Sequence, residues 1–491
     1  MVFVARFLLA ATAAVAVAWA AATAIVAVLD FPKRTAIYYT EPQAVHLAAR
    51  VQRGEALYPD WQAFPYVANV FTPAYFWVVG LVGRTTGADL DTLQRLARGV
   101  TIACSLAGAV LAGWAVRRHG AVAAIAAGAV VLSAGVTHGF GWMARPDLAA
   151  DLLGFAGFLA ATGSTPIGVA GSLLAAAFLC KQPALVYTAA AAVALAWQRR
   201  WRRASTVFVG VIALIVAVLS LVFLAGERRV FIDIFLERSS PWRWEQWKTI
   251  AEKFVGRSAE ILVLCAVGAT VWVWMIRSGR PEANDAKRWL SLLVVAGGAG
   301  IIATAKYGSD LNYYLPLRFV AAAALAELFG VLRLSATSTT SAAVALASLA
   351  TIWSWSPMIW NMISIHEAIN PQRQRTAEAY QAEIDDLVVR SRTERILTNG
   401  DDLALRMDNP FVDSMVFKML VEDGRLRPDG LMDQLQRTQY DLIATTGPVD
   451  DPRFLAAQTG LPKLVADVIA ARYELVKRGA FFYYRPKPAH P

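Results

Sequence analysis

The sequence predicts a polytopic α-helical membrane protein of about eleven transmembrane helices, followed by a small C-terminal soluble α/β domain. Three observations predict it. Hydrophobic residues make up 57% of the 491-residue chain and charged residues only 17%, with a mean hydropathy of +0.44; a soluble chain carries nearer a quarter charged residues. The apolar residues fall in blocks of about 16–25, the length that crosses a hydrocarbon core. After residue 357 the composition turns polar.

The net charge of +10 does not signal nucleic-acid binding, because Lys and Arg sit in short clusters between apolar blocks, where they fix topology. Cys104, Cys180 and Cys265 all lie in apolar blocks without CxxC spacing, which suits membrane packing rather than a metal or a disulfide.

The N-terminal run is too long for a cleaved signal peptide and reads as a retained first helix. The expected spans are 7–29, 98–116, 120–138, 147–162, 165–180, 184–198, 204–225, 258–276, 289–305, 314–333 and 339–357. The clusters "RRHG", "QRRWRRA" and "RSGRPEANDAKR" and Arg333 fall on one side if the N-terminus is there too. The positive-inside rule makes that side cytoplasmic. Residues 30–97 and 358–491 then face outward, and the chain is expected in the plasma membrane. "TPAYFWVVGLVG" (72–83) is apolar but short, and a span there would invert every later loop. It therefore reads as a helix in the outer leaflet.

The long outer loop opens with "YYTEPQAVHLAARVQRGEALYPDWQAF". Thr40 can cap a helix beginning at Glu41 and Pro42. Ala44, Leu47, Ala48 and Val51 form an apolar stripe that leaves His46, Arg50 and Arg53 outside it. This predicts an amphipathic helix along the membrane surface, ended by Gly54. Glu41 is either a helix-start acid or a site carboxylate. Asp30, nearer the end of the first span, is a second candidate.

Further polar groups recur where spans begin or end on the outer side. Arg98 opens the second span; "GWMARPDLAAD" places Arg145, Asp147 and Asp151 at another; "FLCKQPAL" holds Lys181; "KYGSDLNYYLP" holds Lys306, Asp310, Asn312 and Tyr313. Acids near the membrane are costly, and are usually paired or functional. Arg145 paired with Asp147 as a plain structural cap is the alternative to a site. The loop "RSSPWRWEQWKTI" (238–250) reads as an interfacial aromatic belt or as a cover over a cleft.

The polar tail offers a charged helix, strands at "RILTN" and "QYDLIATT", a helix at "PFVDSMVFKMLVEDG" and a last strand at "GAFFYYRP". It has no Gly-rich phosphate loop. "NGDDLALRMDNP" (399–410) reads as a turn and cap rather than a metal site.

The order "E…GEALYPD…Y…FTPAYFW", "LARGV", "ARPDLAAD", "CKQPAL", "GSDLNYYLP" resembles the GT-C superfamily of membrane glycosyltransferases, over residues 1–357. It is similar in particular to the branch of lipid A aminoarabinose transferases and protein O-mannosyltransferases. The resemblance implies transfer of a sugar from a polyprenyl-phosphate donor to a glycan, lipid or protein acceptor, with inversion, at the outer face of the membrane. It implies a catalytic acid in the first outer loop, for which Glu41 is the best match, with Asp147 beside acceptor or sugar hydroxyls. Relatives carry a pair of acids where Thr40 precedes Glu41 here, which leaves open whether a divalent metal is held. Arg98, Arg145, Lys181 and Lys306 are the candidate phosphate holders, and Asp310, Asn312 and Tyr313 candidate sugar or acceptor contacts. The chemistry is consistent: a lipid phosphate leaves as an anion, so one base and a few cations suffice. A transporter or flippase, or a polymerase or ligase of lipid-linked glycans, is the alternative. Transporters place charges at midplane between two related halves, and no such halves are visible here.

The topology has a direct test. Cysteines introduced at Gln62 and Gln434 are expected to react with an impermeant reagent in intact cells, and those within 199–203 to stay unlabelled. The reverse pattern would overturn the orientation.

Overall fold

The computed structural model describes residues 1–488 other than 39, 138–139, 237–241, 307–308, 335–336 and 366–370. The first helix, α1 (Val2–Asp30), is followed by two short helices in the long loop, α2 (Glu41–Arg53) and α3 (Ala74–Thr86). Then come α4 (Leu90–Ala115), α5 (Ala121–Ser133), α6 (Asp147–Thr162), α7 (Ile167–Cys180), α8 (Leu185–Trp197), α9 (Trp201–Leu224), α10 (Trp244–Arg277), α11 (Ala283–Thr304), α12 (Leu317–Leu334) and α13 (Ser338–Ile365). Each of the eleven expected spans falls on one of α1 and α4–α13. Among the described residues, six apolar segments reach membrane-spanning length, whereas α5 and α7 have only 13 and 14 residues. At 1.5 Å per residue such helices cover about 20 Å of a core about 30 Å thick.

The arginine clusters do more than mark topology. Arg200 donates to the carbonyl of Thr162 (3.1 Å), and Arg203 to those of Ala161 (2.9 Å) and Ala160 (3.2 Å). These are the last carbonyls of α6, which have no partner within the helix. At the start of α5, Arg118 reaches Glu327 of α12 at 2.9 Å and also pairs with Asp285 of α11.

The outer loop differs from its expected form. Instead of lying exposed on the membrane, α2 is buried on both sides, with Pro42, Gln43, Ala44, Val45, Leu47, Ala48 and Ala49 all in the interior. Its apolar stripe meets α3 and the membrane helices, and the C-terminal domain covers the rest. His46 lies beside Trp61, Tyr66 and Phe417 in that interface. Burial pushes its imidazole down to about 4, so it is neutral.

The C-terminal domain contains α14 (Pro371–Arg390), β1 (Ile396–Thr398), α15 (Asp401–Arg406), α16 (Ser414–Glu422), α17 (Asp429–Gln436), β2 (Leu442–Thr445), α18 (Pro452–Ala456), α19 (Lys463–Arg472), β3 (Tyr473–Arg478) and β4 (Phe482–Pro486). Its sheet runs β1-β2-β4-β3, with β1 and β2 parallel and the other pairs antiparallel. Its core includes Trp61 and Tyr66 from the outer loop, and the Tyr66 amide donates to Pro410 at 2.6 Å.

Close packing of α2 on α3 rests on Gly80, where an added Cβ would sit 2.5 Å from the Ala48 carbonyl oxygen and 2.6 Å from Val51 Cβ. Backbone cannot yield as a flexible side chain can. Gly80→Ala is expected to destabilise by about 1–3 kcal/mol, read as a lower thermal midpoint in detergent.

Candidate functional site

Glu41 stands at the first turn of α2 and is wholly buried, as is Arg98. Arg98 Nε and Nη2 donate to the two oxygens of Glu41 at 2.7 and 2.8 Å. The Ala144 amide donates to Oε1 at 2.7 Å and the Ile37 amide to Oε2 at 2.8 Å. A carboxylate has about four acceptor positions, and all are used. The remaining Arg98 donors hold the carbonyls of Asp30, Phe31, Lys33 and Thr35 at 2.5–3.2 Å. The pair is a staple for the loop after α1. The acceptor positions of Glu41 and the donors of Arg98 are thus all engaged within the protein. Asp30 receives Trp142 Nε1 at 2.9 Å and pairs with Lys33.

The other expected residues converge on a cavity of about 620 Å³ bounded by α6, α8, α11 and the turn before α12. Asp147, Lys181, Lys306, Asn312 and Tyr313 line it. Asp147 accepts from Lys181 Nζ and from Asn312 Nδ2 (2.8 Å), and pairs with Arg145 Nε at 3.0 Å. Its place at the start of α6, just after Pro146, comes from the "RPD" sequence. Lys181 follows α7 in extended backbone, and Lys306 lies exposed at the rim, its backbone bridged to Trp242. Arg145 is behind the wall, over the Phe140 ring at 5.3 Å.

Asp310 lies outside the cavity. It takes Lys253 Nζ and Tyr38 Oη, each at 2.5 Å, and the Leu311 amide at 2.8 Å. Burial works to raise its carboxyl, but Lys253 and these hydrogen bonds outweigh it and hold the group below the usual range. Asp310 therefore caps the turn Leu311–Tyr314.

One helical turn below Asp147, Asp151 accepts from Tyr187 and pairs with Arg318 at 2.7 Å. Arg318 is fully buried. The sequence analysis does not single it out, although an arginine near the start of the apolar run 314–333 is the kind of signal that flagged Asp147. The same holds for Glu260 in α10, which accepts from the Gly135 amide at 2.9 Å.

The cavity wall on the membrane side is apolar, with Leu185 and Val186 from α8 and Val295, Ala299 and Ala303 from α11. Among the described residues, no group of three or more His, Cys, Asp or Glu side chains could hold a metal ion. The partners of Asp147 are two cations and an amide. They already neutralise it, and a divalent metal does not fit there.

No protein-family model matches the sequence, and no curated protein matches it. Solved structures do. ArnT from Cupriavidus metallidurans bound to undecaprenyl phosphate aligns with a TM-score of 0.57 at 14% identity, over 97% of this chain and 99% of that one. The fold is that of ArnT. The apo form of ArnT gives 0.56 at 12% identity, over 95% and 97%. The oligosaccharyltransferase of Archaeoglobus fulgidus in the apo form gives 0.52 at 12%, over 95% of this chain and 74% of that one. At these identities the likeness is one of fold. Within this fold, the cavity opens where apolar helices give way to loop segments.

The staple predicts a stability phenotype. Glu41→Gln leaves a buried guanidinium without its counter-charge, and is expected to cost about 3–5 kcal/mol. The check is the thermal midpoint of purified protein in detergent. A variant as stable as wild type would refute the structural assignment.

Proposed function

We propose that this protein transfers a sugar from a polyprenyl-phosphate donor to an acceptor hydroxyl at the outer face of the plasma membrane, with inversion at the sugar carbon. The observation that carries the reading is the cavity itself: two carboxylates, Asp147 and Asp151, and two lysines beside an apolar crevice between α8 and α11. The crevice suits an isoprenoid chain. Lys181 and Lys306 suit the phosphate at its head, and a positive wall stabilises the negative charge that grows as the phosphate departs. Neighbouring ArnT has been solved with undecaprenyl phosphate bound, which supports a lipid phosphate as the donor class.

Asp147 is the carboxylate positioned to receive the acceptor proton, in place of the enclosed Glu41. Lys181 bridges the two functions. Its ammonium holds Asp147 in the free protein and is within reach of a phosphate entering beside it. Asn312 and Tyr313 then meet sugar or acceptor hydroxyls at the rim. The leaving phosphate needs no protonation, so a single base completes the proton inventory.

The test is transfer from a polyprenyl-phosphate sugar in detergent, with the acceptor found by comparing envelope glycans of wild-type and deletion strains. Asp147→Asn is expected to lose about 10²–10⁴-fold in turnover while still binding donor. Lys181→Ala is expected to weaken donor binding. Near-normal turnover and binding in both variants would overturn the site.

A further inference from the structure

Residues 33–37 cross from α1 to α2 without regular structure, yet nearly every backbone group that faces inward is held. The membrane part grips the Lys33 and Thr35 carbonyls through Arg98 at 2.5 and 2.9 Å, and the Ile37 amide through Glu41 at 2.8 Å. The groups between are held by the C-terminal domain. Arg406 Nη2 donates to the Arg34 carbonyl at 2.6 Å, and the Ala36 amide donates to Asp402 Oδ1 at 2.8 Å. Arg406 also pairs with Asp91 at the start of α4 (2.6 Å), and Asp91 in turn with Arg34 (2.8 Å). Two parts of the chain more than 300 residues apart in sequence thus grip alternate groups of one strand of backbone.

We propose that α15 is a clamp through which the C-terminal domain completes the membrane site, with Asp402 and Arg406 as its positioning residues. The route is continuous. Ala36 adjoins Ile37, whose amide bonds Glu41; the other oxygen of Glu41 holds the Ala144 amide, and Ala144 precedes Arg145, which pairs with Asp147 on the cavity wall. Releasing Ala36 loosens the first link of that route. A cap or turn in "NGDDLALRMDNP" would need only local bonds. Asp402 and Arg406 instead spend their polar atoms on distant partners.

The groups around Asp402 give the clamp a pH dependence. Glu41 of α2 and Arg98 of α4 face it from the membrane side, Arg406 and Asp401 from its own helix, and Tyr380 from α14. Burial, with the Glu41 charge, pushes the Asp402 carboxyl up to about 6. A carboxyl raised in the clamped state favours clamping when protonated. The contribution is therefore full at low pH and is lost as pH rises through about 6. From its ordinary value near 4 to about 6, the clamped-to-released ratio of this contact falls about 10²-fold.

Hydrogen exchange of a peptide spanning residues 32–40 reads the clamp directly, whatever reaction the cavity performs. Full-length protein in detergent is compared between pH 4.5 and 7.5 after correction for intrinsic exchange rates. Wild type is expected to lose protection across that range. Asp402→Asn keeps an acceptor oxygen without a titrating proton, and is expected to stay protected with a flat profile. Asp402→Ala is expected to exchange fast at every pH with an unchanged C-terminal domain, and Arg406→Ala to behave like it. Wild-type protection in Asp402→Ala, or a wild-type pH profile in Asp402→Asn, would overturn the proposal. Loss of transfer activity with protection intact would instead count against the assignment of the cavity.

Discussion

Much of one end of this molecule hangs on one buried ion pair. A guanidinium and a carboxylate taken out of water are expensive to bury, and their mutual attraction repays the cost only when every remaining donor and acceptor is also filled. Arg98 and Glu41 meet that condition by recruiting backbone: four carbonyls from residues 30–35 and two amides, at Ile37 and Ala144. The pair thereby solves two problems at once. It neutralises two charges, and it satisfies a stretch of irregular chain that has no helix or sheet to do so. The loop after α1, the start of α4 and the segment before α6 are fixed relative to one another by the same few atoms.

That fixed frame explains why the cavity can hold its charges unevenly. Arg145, Lys181, Lys306 and Arg318 stand against the two carboxylates of Asp147 and Asp151. An excess of positive charge beside an apolar crevice is unfavourable in the empty protein and favourable once an anion arrives. Such an arrangement persists only where rigid surroundings carry the strain, and here α6 begins two residues beyond Arg145, within the stapled segment.

Much of the architecture was legible in the sequence, because it follows from local signals. Hydropathy located eleven helices, and four of the tail's elements followed from apolar runs bounded by turn residues. The missed strand, β3, reads "YELVKR" and is exposed beyond its first residue; it pairs at the sheet edge, where burial imposes no alternation. The convergence of Asp147, Lys181, Lys306, Asn312 and Tyr313 was also legible, since each sits at the outer end of a span. What could not be read was partnership. Glu41 and Arg98 both carried the marks of site residues, and only their meeting across 57 positions turns them into a staple. The partners of Asp310 were equally hidden, because Lys253 and Tyr38 come to it from distant segments. A single sequence shows which groups are costly to bury but not which of them cancel.

The arginines at 200 and 203 have a consequence for how the protein enters its membrane. Basic residues between spans help fix a loop in place during insertion, and these two also close the open end of α6. Insertion and tertiary closure therefore share the same side chains. A nascent chain with these residues on the wrong side would leave the carbonyls at 160–162 unbonded at the edge of the lipid, so misoriented molecules would also be misfolded ones. Selection against inverted topology would then follow from the energetics of folding as well as from the electrostatics of translocation.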